Sequence, residues 1–161
     1  MINLGYYNGK YGPLEEMTIP MNDRVCYFGD GVYDATYTAN HTIFALDEHV
    51  DRLFRSMALI RIKPDKTKEE VKALLKEMVQ KVESPDQFVY IQVTRGTAPR
   101  AHVFPEDVNP NWWITLTPGQ LYDVSRPISC ITKEDTRYFQ YQTPESAPQR
   151  SCSAGSQRAW M

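Results

Sequence analysis

The chain has 161 residues, 42% of them hydrophobic, and a formal net charge of −2 with acids and bases interspersed. That length suits one ordinary domain with a real core, and the charge balance argues against the basic face that a nucleic-acid partner needs. No stretch approaches the roughly 20 apolar residues of a membrane span, no secretory signal opens the chain, and the three cysteines, Cys26, Cys130 and Cys152, lie far apart without metal-ligand spacing, the usage expected of a reduced, cytoplasmic protein.

From the N-terminus, Tyr6-Tyr7-Asn8-Gly9-Lys10-Tyr11 is a strand–turn–strand signal, because Asn-Gly supplies the two positive-φ positions of a type I′ hairpin. Gly31 to Thr38 is rich in β-branched and aromatic residues, and Thr42 to Leu46 follows a short polar turn, which predicts a second hairpin. Asp47 is placed to cap a helix carrying Val50, Leu53, Phe54, Met57, Ala58 and Ile60 at helical spacing, ended by Lys63-Pro64-Asp65. Thr67-Lys68-Glu69-Glu70 is a capping box that opens a second helix with Val71, Leu74, Leu75, Met78 and Val82 on one face, stopped at Ser84-Pro85-Asp86. Phe88 to Thr94 and Trp112 to Thr117 are predicted to pair antiparallel, and Ile128 to Thr132 to form one more strand. Strands, two helices, then strands is an α+β order. From Tyr141 to Met161 no aliphatic residue exceeds alanine apart from the final methionine; such a segment cannot offset its ordering entropy by burial and is expected to be disordered.

Three segments could carry chemistry. The loop from Gly96 to Asn111 is long and holds three prolines, and long loops in compact domains are functional or disordered. Within it Arg100 offers a planar fork of donors that matches a carboxylate or phosphate, and His102 adds another donor; the alternative is a solvated arginine and a surface histidine. In Phe28-Gly29-Asp30-Gly31-Val32-Tyr33, two glycines flank an aspartate and Tyr33 enters a strand, where its phenol can meet a carboxylate or sit half-buried. Near the first helix start, Arg52 can hold a phosphate on the positive end of the dipole or pair with Asp51 or Glu48 on a wet face. His41, His49 and His102 lack metal-site spacing.

Asp23-Arg24 with Phe28-Gly29-Asp30-Gly31-Val32-Tyr33, then Glu48-His49-Val50-Asp51-Arg52-Leu53, then Gln92-Val93-Thr94-Arg95-Gly96-Thr97-Ala98-Pro99-Arg100-Ala101-His102, and Glu134-Asp135-Thr136-Arg137 together resemble the class IV (fold type IV) pyridoxal-phosphate transaminases. The likeness is closest to the D-amino-acid transaminases and runs from about Gly5 to Gln140. It implies a small N-terminal domain, residues 1–121, built as an antiparallel sheet with two helices; the start of a cofactor-binding large domain at 122–140; and a tail foreign to the family at 141–161. The resemblance assigns Arg52 to the phosphate of pyridoxal 5′-phosphate and Tyr33, Arg100 and His102 to a trap for the substrate α-carboxylate. It also implies a homodimer in which Arg100 and His102 serve the neighbour's site, and amino transfer from a D-amino acid to a 2-oxo acid. In this family the arginine–histidine pair sets D-amino-acid transaminases apart from branched-chain transaminases and aminodeoxychorismate lyases, the other class IV members in view.

The departure from the family lies downstream. The Schiff-base lysine of an Ile-Lys-x-Leu-Asn-Leu-Leu motif falls near Pro144, but the last lysine of the chain is Lys133. Most of the large domain is missing with it, so a truncated chain without turnover is expected, a non-catalytic small-domain fragment in the limit. One encoding of Tyr141 to Cys152, read a single base later, yields Ile-Lys-Pro-Leu-Asn-Leu-Leu, which is what a shifted reading frame produces.

Overall fold

Asn8 and Gly9 adopt φ of 46° and 91°, the left-handed pair a tight hairpin requires, and they join β1 (Leu4–Tyr7) to β2 (Lys10–Gly12). A 3-10 turn at Leu14–Glu16 and a short helix α1 (Arg24–Phe28) follow; the sequence reading anticipated neither. Next come β3 (Gly31–Ala39), β4 (Thr42–Ile43), α2 (Leu46–Leu59), α3 (Lys68–Val79), β5 (Gln87–Thr94) and β6 (Asn111–Pro118). The structure is a computed structural model that describes residues 1–119, 125 and 127–133. The chain divides into two units, Met1–Leu121 and Tyr122–Met161, and every element above lies in the first.

The six strands form one sheet in the order β2-β1-β6-β5-β3-β4, antiparallel throughout. This is the expected α+β architecture, with α1 added to the two long helices. Strand alternation divides the sheet. On one face Leu4, Tyr6, Val89, Ile91, Val93, Trp112, Ile114 and Leu116 are buried against Val50, Leu53 and Met57 of α2 and Val71, Leu75, Met78 and Val79 of α3. The Trp112 indole N–H donates to Asp65 at 2.6 Å, which satisfies its polar edge. The other face carries Tyr33, Tyr37, Phe88, Tyr90 and Trp113, none fully buried.

Several boundaries differ from expectation. Asp47 does not cap α2; Ala45, in the left-handed region with φ 47°, turns the chain straight from β4 into the helix. Asp47 then sits in the first turn, where its charge suits the dipole and pairs with Lys72. The second hairpin is short, since β4 holds two residues before that turn. Helix α2 ends at Leu59, before Lys63-Pro64-Asp65, because Arg61 takes φ 59° and Ile62 N–H returns to the Met57 carbonyl at 2.9 Å. The Thr67–Glu70 capping box opens α3 as predicted, but the helix stops at Val79, short of Ser84. Ile128 to Thr132 forms no strand; it is exposed and irregular, with no ladder partner among the described residues. A β-branched run fits a pleated surface without supplying a neighbour to pair with. The expected tail disorder at 141–161 lies outside the described residues.

Candidate functional site

The base of the Gly96–Asn111 loop is set by a buried carboxylate. Asp23 caps α1 by accepting from Val25 N–H at 2.9 Å. Its other oxygen accepts from Thr94 Oγ1 at 2.9 Å and Asn111 Nδ2 at 2.8 Å, so one side chain ties together the last residue of β5 and the first of β6. Gly96 leaves β5 at φ 115°, where an added Cβ would run into the Asn109 carbonyl; only glycine makes this exit without strain.

Beside that base lies an arginine–aspartate–arginine cluster. Asp30 accepts from Arg24 Nε at 2.7 Å and from Arg95 Nε at 2.8 Å. Both arginines are almost fully buried. Arg95 spends its remaining donors on the carbonyls of Ile60 (2.7 Å) and Arg61 (3.1 Å), closing the C-terminal end of α2, and its guanidinium lies 3.7 Å from the centre of the Phe104 ring. Arg24 Nη1 donates to the Ala101 carbonyl at 2.8 Å. Burial pushes the Asp30 carboxyl upward, but the two guanidinium groups outweigh it and hold the group below the usual carboxylate range.

Arg100 and His102 come together on one aromatic ring. The Arg100 guanidinium is 5.3 Å from the centre of Phe28 and the His102 ring 5.6 Å from it. Both residues are exposed, and neither side chain makes a hydrogen bond to another described residue. Tyr33 stands apart from them: it is 67% exposed and stacks on Tyr90 with ring centres 5.5 Å apart. Arg52 lies elsewhere again, on α2. Its Nε and Nη2 donate to Asp34 at 2.6 and 2.7 Å, and His49 Nδ1 joins the same carboxylate at 2.7 Å. The expected pairing of Arg52 with Asp51 or Glu48 gives way to Asp34, because Asp34 projects from β3 onto the helix side and Asp51 is taken by Lys68. Burial raises the Asp34 carboxyl, while the Arg52 and His49 hydrogen bonds pull it back below its ordinary range. Arg52 Nη1 has no hydrogen-bond partner among the described residues, so this guanidinium can donate to a phosphate oxygen without releasing Asp34; in that respect the residues fit the phosphate of a pyridoxal cofactor.

The sequence points to Tyr33, Arg52, Arg100 and His102, whereas Asp23, Arg24, Asp30, Asp34 and Arg95 acquire their roles from the fold. The signal available was polarity at positions that alternation assigns to the core: Asp34, Thr36 and Thr38 all face the helices from β3 and all are buried. Among the described residues no group of three or more His, Cys, Asp and Glu can hold a metal ion, and no helix is long and apolar enough to cross a membrane.

Comparison with known proteins places the chain. Its solved structural neighbours include the branched-chain amino acid aminotransferase of Escherichia coli, with TM-score 0.69 and 15% identity over 76% of this chain and 41% of that one. They also include the 4-amino-4-deoxychorismate lyase of Pseudomonas aeruginosa, with TM-score 0.63 and 22% identity over 74% and 41%. At such identities these likenesses establish the fold. Among curated proteins, the D-alanine aminotransferase of Bacillus licheniformis is 36% identical over 83% of this chain and 48% of its own length. That of Listeria monocytogenes serotype 4b (strain F2365) is 43% identical over 78% and 45%. The chain thus spans about half the length of the curated relatives it matches. Residues 31–148 match the family described as amino-transferase class IV, and the chain belongs to that family.

Proposed function

We propose that this chain carries the carboxylate-binding side of a D-amino-acid transaminase site. The observation that carries this reading is that Arg100 and His102, which make no side-chain hydrogen bond to another described residue, are held on one Phe28 ring. A guanidinium fork binds a carboxylate with two parallel charge-assisted bonds, and a neighbouring imidazole N–H adds a third. The curated relatives are D-alanine aminotransferases by name, which supports a D-amino acid such as D-alanine as donor and a 2-oxo acid as acceptor. Tyr33 makes no hydrogen bond or ring contact with Arg100 or His102 within one chain, an arrangement that suits a homodimer in which the loop completes its neighbour's trap. Arg52 is the phosphate donor for pyridoxal 5′-phosphate; when bound, that cofactor supplies the electron sink for the carbanion chemistry of amino transfer. The residues of this chain grip the carboxylate and so fix which face of Cα is presented.

No lysine follows Lys133 in these 161 residues, so the chain alone is not proposed to turn over substrate. Incubation with pyridoxal phosphate, borohydride reduction and intact-protein mass spectrometry test this, alongside D-alanine/2-oxoglutarate turnover. The expected result is no stoichiometric adduct and no turnover. A single stoichiometric adduct with turnover would overturn it and place the catalytic amine on another lysine of this chain.

A further inference from the structure

The tip of the Gly96–Asn111 loop is poorly tied. Among the described residues, the bond from Arg24 Nη1 to the Ala101 carbonyl is the one hydrogen bond made by any residue from Pro99 to Pro110. The ring contacts of the tip all return to the same small cluster. Arg100 and His102 lie on Phe28, Phe104 lies on Arg95, and Arg24 sits 4.9 Å from the Phe28 ring and 5.9 Å from that of Phe104. Ala101 is the residue between the two donors of the carboxylate trap. The atom that holds its carbonyl therefore fixes where both flanking side chains emerge.

The geometry points to Arg24 as a positioning residue of the carboxylate trap: buried and oriented by Asp30, it pins Ala101 so that Arg100 and His102 converge on one substrate carboxylate. This rests on the reading of Arg100 and His102 given above. Three features support it. Arg24 is 2% exposed, so its charge is removed from water at a cost that a merely solvated arginine avoids. Its planar fork is used in two fixed directions, Nε to Asp30 and Nη1 to Ala101, which a point-charge ammonium cannot reproduce. Asp30 is shared by two guanidinium groups, so the carboxylate that aims Arg24 is itself held in place by Arg95.

The test uses the isotopically labelled 161-residue chain, titrated with propionate, a carboxylate without an ammonium group, and followed by NMR. In the wild-type chain the Arg100 side-chain and His102 ring signals are expected to shift saturably. Arg24→Lys keeps the charge and loses the fork. It is expected to weaken propionate binding at least about tenfold and to mobilise the backbone of Ala101 to Phe104, while amide protection in β5 and β6 is retained. Equal affinity in Arg24→Lys would overturn the positioning role, because charge alone would then suffice. If Arg24→Lys does not fold, wild-type relaxation decides: order parameters at Arg100 to His102 near 0.85 support the pin, and values below about 0.6 overturn it. A wild-type chain that takes up no propionate would instead overturn the trap itself, a failure distinguishable from the first.

Discussion

Asp34 is a carboxylate on the face of β3 where alternation asks for an apolar side chain. It persists there because Arg52 and His49 complete its hydrogen bonds; a buried carboxylate without them would be costly. Arg52 is itself 54% exposed, so solvent screens part of the attraction. Asp34→Asn should therefore cost about 1–3 kcal/mol in urea unfolding and leave the Arg52 guanidinium without its orientation. Weaker protection of the chain against unfolding by added inorganic phosphate would show that second loss. The pH dependence has a definite sign. Asp30 and Asp34 both titrate below their ordinary values when folded, so their contribution is present above the unfolded carboxylate value of about 3.9 and is lost as pH falls through the folded values. The urea midpoint should hold from pH 7 to 5 and decline below about pH 4. The Asp30→Asn/Asp34→Asn pair should flatten that decline; an unchanged acid limb would count against these two carboxylates as its source.

At the scale of elements, legibility tracks how local the cause is. The Thr67–Glu70 capping box is complete in adjacent residues, and the Asn8–Gly9 turn takes its positive φ from those two residues alone; both form where the sequence places them. Thr67→Ala should cost about 1 kcal/mol, read from the urea midpoint. The buried polar ties around α1 and the end of α2 have distant partners. The end of α2 turns locally at Arg61, but Arg95, 34 residues away, takes up its carbonyl, and α1 is capped by an Asp23 that also reaches Asn111, 88 residues on. No window of sequence contains both partners. The same division runs through the site: Arg100 and His102 are two residues apart and were legible as a pair, whereas the Arg24–Asp30–Arg95 cluster beneath them is assembled by the fold. Gly96 is where the two meet, since its φ of 115° and the nearness of the Asn109 carbonyl forbid a side chain. Gly96→Ala should lose at least about 2 kcal/mol and perturb the amide signals of residues 97–110 more than those of β1 or α3.

For the first unit as a whole, the two faces of the sheet are unequal. Helices α2 and α3 cover one face with a close-packed core. The other carries a row of aromatic residues in which Tyr33 stacks on Tyr90 and Tyr37 packs on Phe88 at 5.1 Å. Of this row Tyr33 is exposed and stands on half-buried rings, so a partner that covers Tyr33 buries aromatic area there. Aromatic rings give large contact area for little conformational entropy, which favours association through this face. The chain should therefore enhance the fluorescence of an apolar dye and sediment, at tens of micromolar, with an average mass above that of one chain. Phe88→Lys places a charge at the centre of the row, on a strand whose other face holds the core together. It should reduce both signals while leaving the unfolding free energy within about 1 kcal/mol of the parent. If association instead runs through the Gly96–Asn111 loop, as a shared carboxylate trap requires, Phe88→Lys will abolish dye binding and leave the sedimenting mass unchanged, and Arg24→Lys will lower it. The two variants measured together separate a surface that is merely sticky from one that completes a site.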